Sequence, residues 1–148
     1  MSETTTAVPA LVLKRTYDAP AERVYRAWTD PNIAAKFLGP GNVKCMDIKM
    51  DVRPGGSYSF VMVKDDGERL PVRGVYRDVK PSERLSMTWR WGEANPADER
   101  DTLLTLEFLD RGGKTELVLT HEQFANVESR NSHEQGWSAI LEQLQAAL

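Results

Sequence analysis

Cysteine is almost absent from this chain: Cys45 stands alone. An intramolecular disulfide and a cysteine-cluster zinc site are thereby excluded. Histidine is nearly as scarce. His121 and His133 share no ligand-like spacing with each other or with Cys45, so no metal centre and no cofactor are expected. No apolar run reaches 18 residues, and no basic segment precedes an apolar one at the N-terminus. Neither a membrane span nor a secretory leader is expected, and the location expected is cytoplasmic. Basic charge is not in excess: 19 Lys and Arg face 22 Asp and Glu, for a net charge of −3. A broad basic face for nucleic acid is unsupported by that balance. A phosphate-cradling glycine loop is missing too, because Gly55-Gly56 and Gly112-Gly113 sit in hairpin turns with no helix start behind them. There is no internal repeat, low-complexity tract or linker.

What remains has the composition of an ordinary globular domain, with 148 residues, 41% hydrophobic and 28% charged. A chain of this length buries roughly 68–70% of its unfolded surface, enough for a core without crosslinks. Residues 1–9 are polar, threonine-rich and aperiodic, and read as a flexible N-terminus; residues 10–148 read as one domain.

The periodicity changes twice along that domain. Leu11 to Tyr17 is β-prone and stops at Asp18-Ala19-Pro20, a helix start in which Asp18 is placed to cap and Pro20 sacrifices no hydrogen bond. Val24, Ala27 and Trp28 then share a helical face, and Asp30-Pro31 opens a second short helix carrying Ile33 and Phe37. After Gly39-Pro40-Gly41 the period becomes two. Tyr58, Phe60 and Met62 alternate with polar or smaller neighbours; so do Val72, Gly74 and Tyr76, then Leu85, Met87, Trp89 and Trp91, then Leu104, Leu106 and Phe108, and last Leu117, Leu119 and His121. Short turns separate these runs, which makes them an antiparallel meander, since parallel neighbours need a crossover of about a dozen residues. Its longest interruption is the polar loop from Gly92 to Asp101, placed to act as a plain loop or a lid. Trp137, Ile140, Leu141, Leu144 and Leu148 form one stripe on a final helix of about twenty residues, with Glu134, Glu142, Gln143 and Gln145 directed away. That stripe requires an apolar surface, and the hollow of the sheet supplies it. The fold class is α+β: a curved antiparallel sheet of six to seven strands wrapped around a long C-terminal helix, with two short helices after the first strand.

Several pieces, in order, resemble one family. They are Arg15-Thr16-Tyr17-Asp18-Ala19-Pro20, Val24-Tyr25-Arg26-Ala27-Trp28-Thr29-Asp30-Pro31, Arg53-Pro54-Gly55-Gly56, Val72-Arg73-Gly74-Val75-Tyr76, Pro81-Ser82-Glu83-Arg84-Leu85, Thr88-Trp89 and Gly136-Trp137 followed by leucines. This combination resembles the START-like (SRPBCC) superfamily, and within it the branch named after the activator of the heat-shock-protein-90 ATPase. The resemblance runs from about residue 10 to residue 148. It implies a helix-grip fold with a cavity between sheet and terminal helix, commonly used for hydrophobic small molecules. The co-chaperone that names the branch carries a separate N-terminal domain, whereas the nine residues expected to be flexible precede the domain here. Chaperone-ATPase stimulation is therefore not the leading expectation.

The inward-facing residues are strongly aromatic, and they either fill the interior or line a pocket. The expected binding set is Phe37, Tyr58, Phe60, Met62, Tyr76, Trp89, Trp91, His121, Trp137 and Leu141. Their partner would be a small hydrophobic molecule, aromatic or lipid-like. His121 shares a face with Leu117 and Leu119, where its imidazole is placed to orient a ligand oxygen, to exchange a proton, or to be satisfied within the core. His133, near the start of the last helix, is expected to face solvent or to cap. No catalytic residue is assigned. Asp65-Asp66 before Gly67 does turn work rather than forming an acid–base pair. Cys45 has no histidine near it in sequence to activate it. Two other classes stay open: a cyclase- or hydrolase-like enzyme in the same cavity, and a protein-interaction module, co-chaperone-like or a homodimer through an exposed strand edge.

Overall fold

Residues 8–92 and 101–148 are described by the computed structural model; the candidate lid segment 93–100 and residues 1–7 of the expected flexible terminus lie outside them. The described chain runs β1 (Leu11–Tyr17), α1 (Ala21–Thr29), α2 (Pro31–Ala34), β2 (Lys44–Met50), β3 (Ser57–Val63), β4 (Arg69–Lys80), β5 (Arg84–Trp91), β6 (Thr102–Asp110), β7 (Thr115–Glu122) and α3 (Val127–Ala147). The strands form one antiparallel sheet in the order β1-β7-β6-β5-β4-β3-β2. Six of them meander, and β1 closes the far side by pairing with β7 along its whole length, from Leu11 opposite His121 to Tyr17 opposite Thr115. This is the helix-grip architecture.

Local chemistry explains most of the boundaries. Asp30 caps α2 by accepting the Asn32 N–H at 2.9 Å, with Pro31 in the first turn. Asn126 caps α3 in the same way, accepting the Ser129 N–H at 2.8 Å. The start of α1 differs from the sequence expectation. Pro20 occupies the cap position and offers no side-chain bond, while the Asp18 N–H donates to Gln145 Oε1 at 3.0 Å. The segment entering α1 is thus tied to α3 instead of being capped locally.

The sheet's inner face and α3 enclose the core. Trp137, Ile140, Leu141 and Leu144 of α3 are buried together with Trp28, Phe60, Tyr76, Trp89, Leu106 and Leu119. The hydroxyl of Tyr17 donates to the Leu141 carbonyl at 2.7 Å, which binds β1 to the middle of the helix. The side chains expected to point away from the core do more than face water. Gln143 Nε2 donates to the carbonyls of Phe37 (3.1 Å) and Gly39 (2.8 Å), and its Oε1 accepts the Gly41 N–H at 2.8 Å. One amide therefore fixes the Gly39-Pro40-Gly41 break against the helix.

Within the sheet, Tyr58 and Gly74 face each other across β3 and β4, and the Tyr58 hydroxyl reaches the Thr88 carbonyl of β5 at 2.5 Å. A Cβ at residue 74 would lie 2.7 Å from that hydroxyl oxygen, so the phenol requires glycine there. Further along β4 the register shifts between Tyr76 and Val79, which brings Val79 opposite Leu85 and changes the parity of the inward set. Ser86 Oγ accepts the Asp78 N–H at this irregularity (3.0 Å), which accounts for a buried serine on a strand.

Candidate functional site

One end of the interior is filled and the other is open. At the filled end Tyr58 stacks on Phe60 (centroids 6.0 Å, 22° between planes), Tyr76 lies 5.3 Å from Tyr58, and Phe37 meets Trp28 edge-on at 5.1 Å. Tyr58, Phe60, Tyr76 and Trp89 leave among them only a void of about 20 Å³. At the other end, between the N-terminal half of α3 and the sheet at β3–β5, lies a cavity of about 390 Å³ that opens to solvent. Val43, Met62, Leu70, Trp89 and Trp91 form its sheet side, Gly136, Trp137 and Ile140 its helix side, and Pro40 its rim. Lys64, Ser132 and His133 are its polar members. A Cβ built on Gly136 would meet nothing within 4 Å, so the helix opens the space by omitting a side chain.

Of the ten expected binding residues, Met62, Trp89, Trp91 and Trp137 stand on the cavity wall. Tyr58, Phe60 and Tyr76 belong to the filled end. Phe37, His121 and Leu141 are fully or almost fully buried behind them. His133 departs from its expected solvent-facing role: it lines the cavity. The signal for it was present, because residue 133 lies one turn before Trp137 on the same helical face. Lys64, Leu70 and Ser132 had no such signal, since they reach the cavity from a turn, a strand start and the helix flank.

The hydrogen bonds around the two histidines fix their tautomers. The Trp137 indole N–H donates to His121 Nδ1 at 3.0 Å, so that nitrogen is an acceptor. Nε2 then carries the proton and donates to Thr102 Oγ1 at 2.7 Å, and the Thr102 hydroxyl donates to the Trp89 carbonyl at 2.8 Å. In His133 the assignment is reversed. The Trp91 indole N–H donates to Nε2 at 2.9 Å, and Nδ1–H donates to the Ser129 carbonyl at 2.7 Å. The rings lie 5.0 Å apart at 79°. Burial holds the His121 pKa well below its ordinary value of 6.5, and the neighbouring His133 pushes it the same way. Burial also lowers His133, with the Ser129 carbonyl partly offsetting it. Both rings are neutral at neutral pH, and all four nitrogens are spent on protein partners. They pin Trp91 and Trp137 in place as cavity walls, leaving neither ring a nitrogen for a ligand unless an existing bond breaks.

Among the described residues no group of three His, Cys, Asp or Glu side chains converges as a metal site. None of their helices is long and apolar enough to cross a membrane. Cys45 is buried on β2, and burial pushes its thiol up to about 12.

Comparison with known proteins places this geometry. Residues 18–148 match the sequence profile of the family described as Activator of Hsp90 ATPase homolog 1-like protein. The mouse protein called Activator of 90 kDa heat shock protein ATPase homolog 1 is 27% identical over 130 residues, covering 86% of this chain. The chain spans about a third of the length of the curated relatives it matches. Among solved structures, a Chromobacterium violaceum protein superposes with a TM-score of 0.84 at 28% identity, covering 95% of this chain and 97% of its own. A Silicibacter pomeroyi protein does so with a TM-score of 0.82 at 25% identity, covering 93% and 96%.

Proposed function

We propose that this chain, which belongs to the family of Activator of Hsp90 ATPase homolog 1-like proteins, binds a small apolar molecule, aromatic or lipid-like, between α3 and the sheet. The observation that carries this reading is the open cavity of about 390 Å³ walled by Trp89, Trp91 and Trp137. Its volume falls within the ~300–1,000 Å³ typical of small-molecule sites. Three tryptophans, two on the sheet side and one on the helix side, offer stacking faces without charge; histidine satisfies the N–H groups of Trp91 and Trp137, and that of Trp89 is buried without a partner. A ligand of on the order of 20 non-hydrogen atoms, at roughly −0.3 kcal/mol each, would reach about −6 kcal/mol, a dissociation constant in the tens of micromolar.

The test uses the uncharged probe N-phenyl-1-naphthylamine, titrated while tryptophan emission and probe emission are followed. Saturable binding is expected, with quenching of the wall tryptophans. A leucine at residue 136 would project into the space that glycine leaves empty. Gly136→Leu is therefore expected to keep the fold by circular dichroism and to lose the probe. No saturable binding to the parent, or equal binding to the folded Gly136→Leu variant, would overturn the reading.

A further inference from the structure

The cavity's polar groups are few and lie to one side. Among the described lining residues there is no carboxylate, and the three polar members are Lys64, Ser132 and His133. The nitrogens of His133 are engaged by Trp91 and Ser129. Lys64 therefore supplies the one formal charge among those residues. It follows β3 directly, and its backbone is held in the turn by the Lys64 N–H to the Glu68 carbonyl (2.9 Å) and the Gly67 N–H to the Lys64 carbonyl (2.8 Å). Its side chain is 46% exposed, whereas Trp89 and Trp137 at the opposite side are 4% and 2% exposed. The cavity thus grades from a hydrated cation at its mouth to a dry aromatic floor.

We propose that the preferred occupant is an anionic amphiphile, an apolar body ending in a carboxylate- or sulfonate-type head, with the head beside Lys64 and the body against Trp89 and Trp137; this rests on the reading of the cavity as an apolar-ligand site. The opposite orientation buries the head's full charge among indoles, where of the three N–H groups only that of Trp89 lacks a partner, and one neutral donor does not compensate an ion taken out of water. Head-outward binding leaves that charge in water and next to an ammonium. The ammonium has three donors, and Glu68 Oε1 takes one of them at 3.1 Å. Glu68 and Asp66 keep Lys64 charged and also compete with an incoming anion. Removing the lysine and removing its competitor therefore act in opposite directions.

The probe pair is 8-anilinonaphthalene-1-sulfonate and N-phenyl-1-naphthylamine, which share one body and differ by the sulfonate. The anionic probe is expected to displace the neutral one. Lys64→Gln should raise the dissociation constant of the sulfonate roughly two- to fivefold, the range of an exposed ion pair, and Glu68→Gln should lower it by a similar factor. The neutral probe should shift in neither variant. Both side chains are about half exposed, so neither substitution disturbs packing. An unchanged sulfonate constant in Lys64→Gln, equal shifts for both probes, or failure of the sulfonate to displace the neutral probe overturns the anionic preference and leaves apolar binding standing. Absence of saturable binding by either probe to the parent removes both readings.

Discussion

Lowering the pH from about 7.5 to about 5.5 should cost this protein on the order of 1 kcal/mol through His121 alone. In the unfolded chain that imidazole titrates near 6.5; in the folded one its pKa lies well below, because the ring is fully buried and Nδ1 is occupied by the Trp137 N–H. Below about pH 6.5 the unfolded chain takes up a proton that the folded chain refuses, and the equilibrium shifts toward unfolding. The stabilisation is complete above that pH and falls by about 1.4 kcal/mol per pH unit beneath it, until the folded-state pKa is reached. Over the interval chosen, the linkage integral RT ln[(1 + 10^(6.5−pH))] changes tenfold in its argument, a loss on the order of 1 kcal/mol. His133, lowered in the same direction, adds to the loss. Urea unfolding at both pH values, followed by tryptophan emission, measures the total. His121→Gln isolates one residue's share, because glutamine retains an acceptor for Trp137 and a donor for Thr102 but does not titrate. Carboxylate contributions are common to both proteins and cancel. The parent should lose on the order of 1 kcal/mol more than the variant. Equal losses would refute the neutral, doubly engaged His121.

Three further outcomes follow from the packing. Gly74→Ala places a methyl group against the Thr88 carbonyl and the Tyr58 ring, and should cost about 1–3 kcal/mol in thermal or chemical unfolding; an unchanged melting temperature would contradict the close approach. Gln143→Ala removes three bonds to the Phe37–Gly41 segment and should cost about 1–3 kcal/mol by the same measurement, with Gln143→Glu unable to restore the two that the amide donates. Cys45, buried and with its thiol pushed up to about 12, should resist a disulfide reagent at about pH 8 in the native protein and react fully in denaturant. Rapid native labelling would show that β2 opens readily.

The strands were legible because each buries one face, and an alternation such as Leu117, Leu119, His121 has a single way to do so. The stripe on α3 was legible for the equivalent reason at a period of 3.6. Periodicity reports the direction of a Cβ and not how far a side chain reaches. Gln143 and Gln145 accordingly read as outward, although they bond to the loop at residues 37–41 and to Asp18. A register shift is equally silent, so Val79 gave no sign of turning inward after Tyr76. The candidate site was half legible. Which aromatics face inward could be counted, but whether they touch α3 or stand clear of it depends on the tilt of the helix over the sheet, which no local pattern encodes. Phe60 and Trp91 therefore looked alike in the sequence and occupy opposite ends of the interior.

Helix α3 behaves mechanically like a beam bolted at both ends. Its C-terminal half is held by Tyr17 on Leu141, Gln143 on the glycine–proline break and Gln145 on Asp18, and the stretch beside the opening by Trp91 on His133 and Trp137 on His121. Beside the opening, His133 and Trp137 are thus receptor wall and fastener at once. An engineer could rewrite positions 132 and 136 to reshape the receptor while leaving the bolts untouched, whereas Ile140, 3% exposed, belongs to the core.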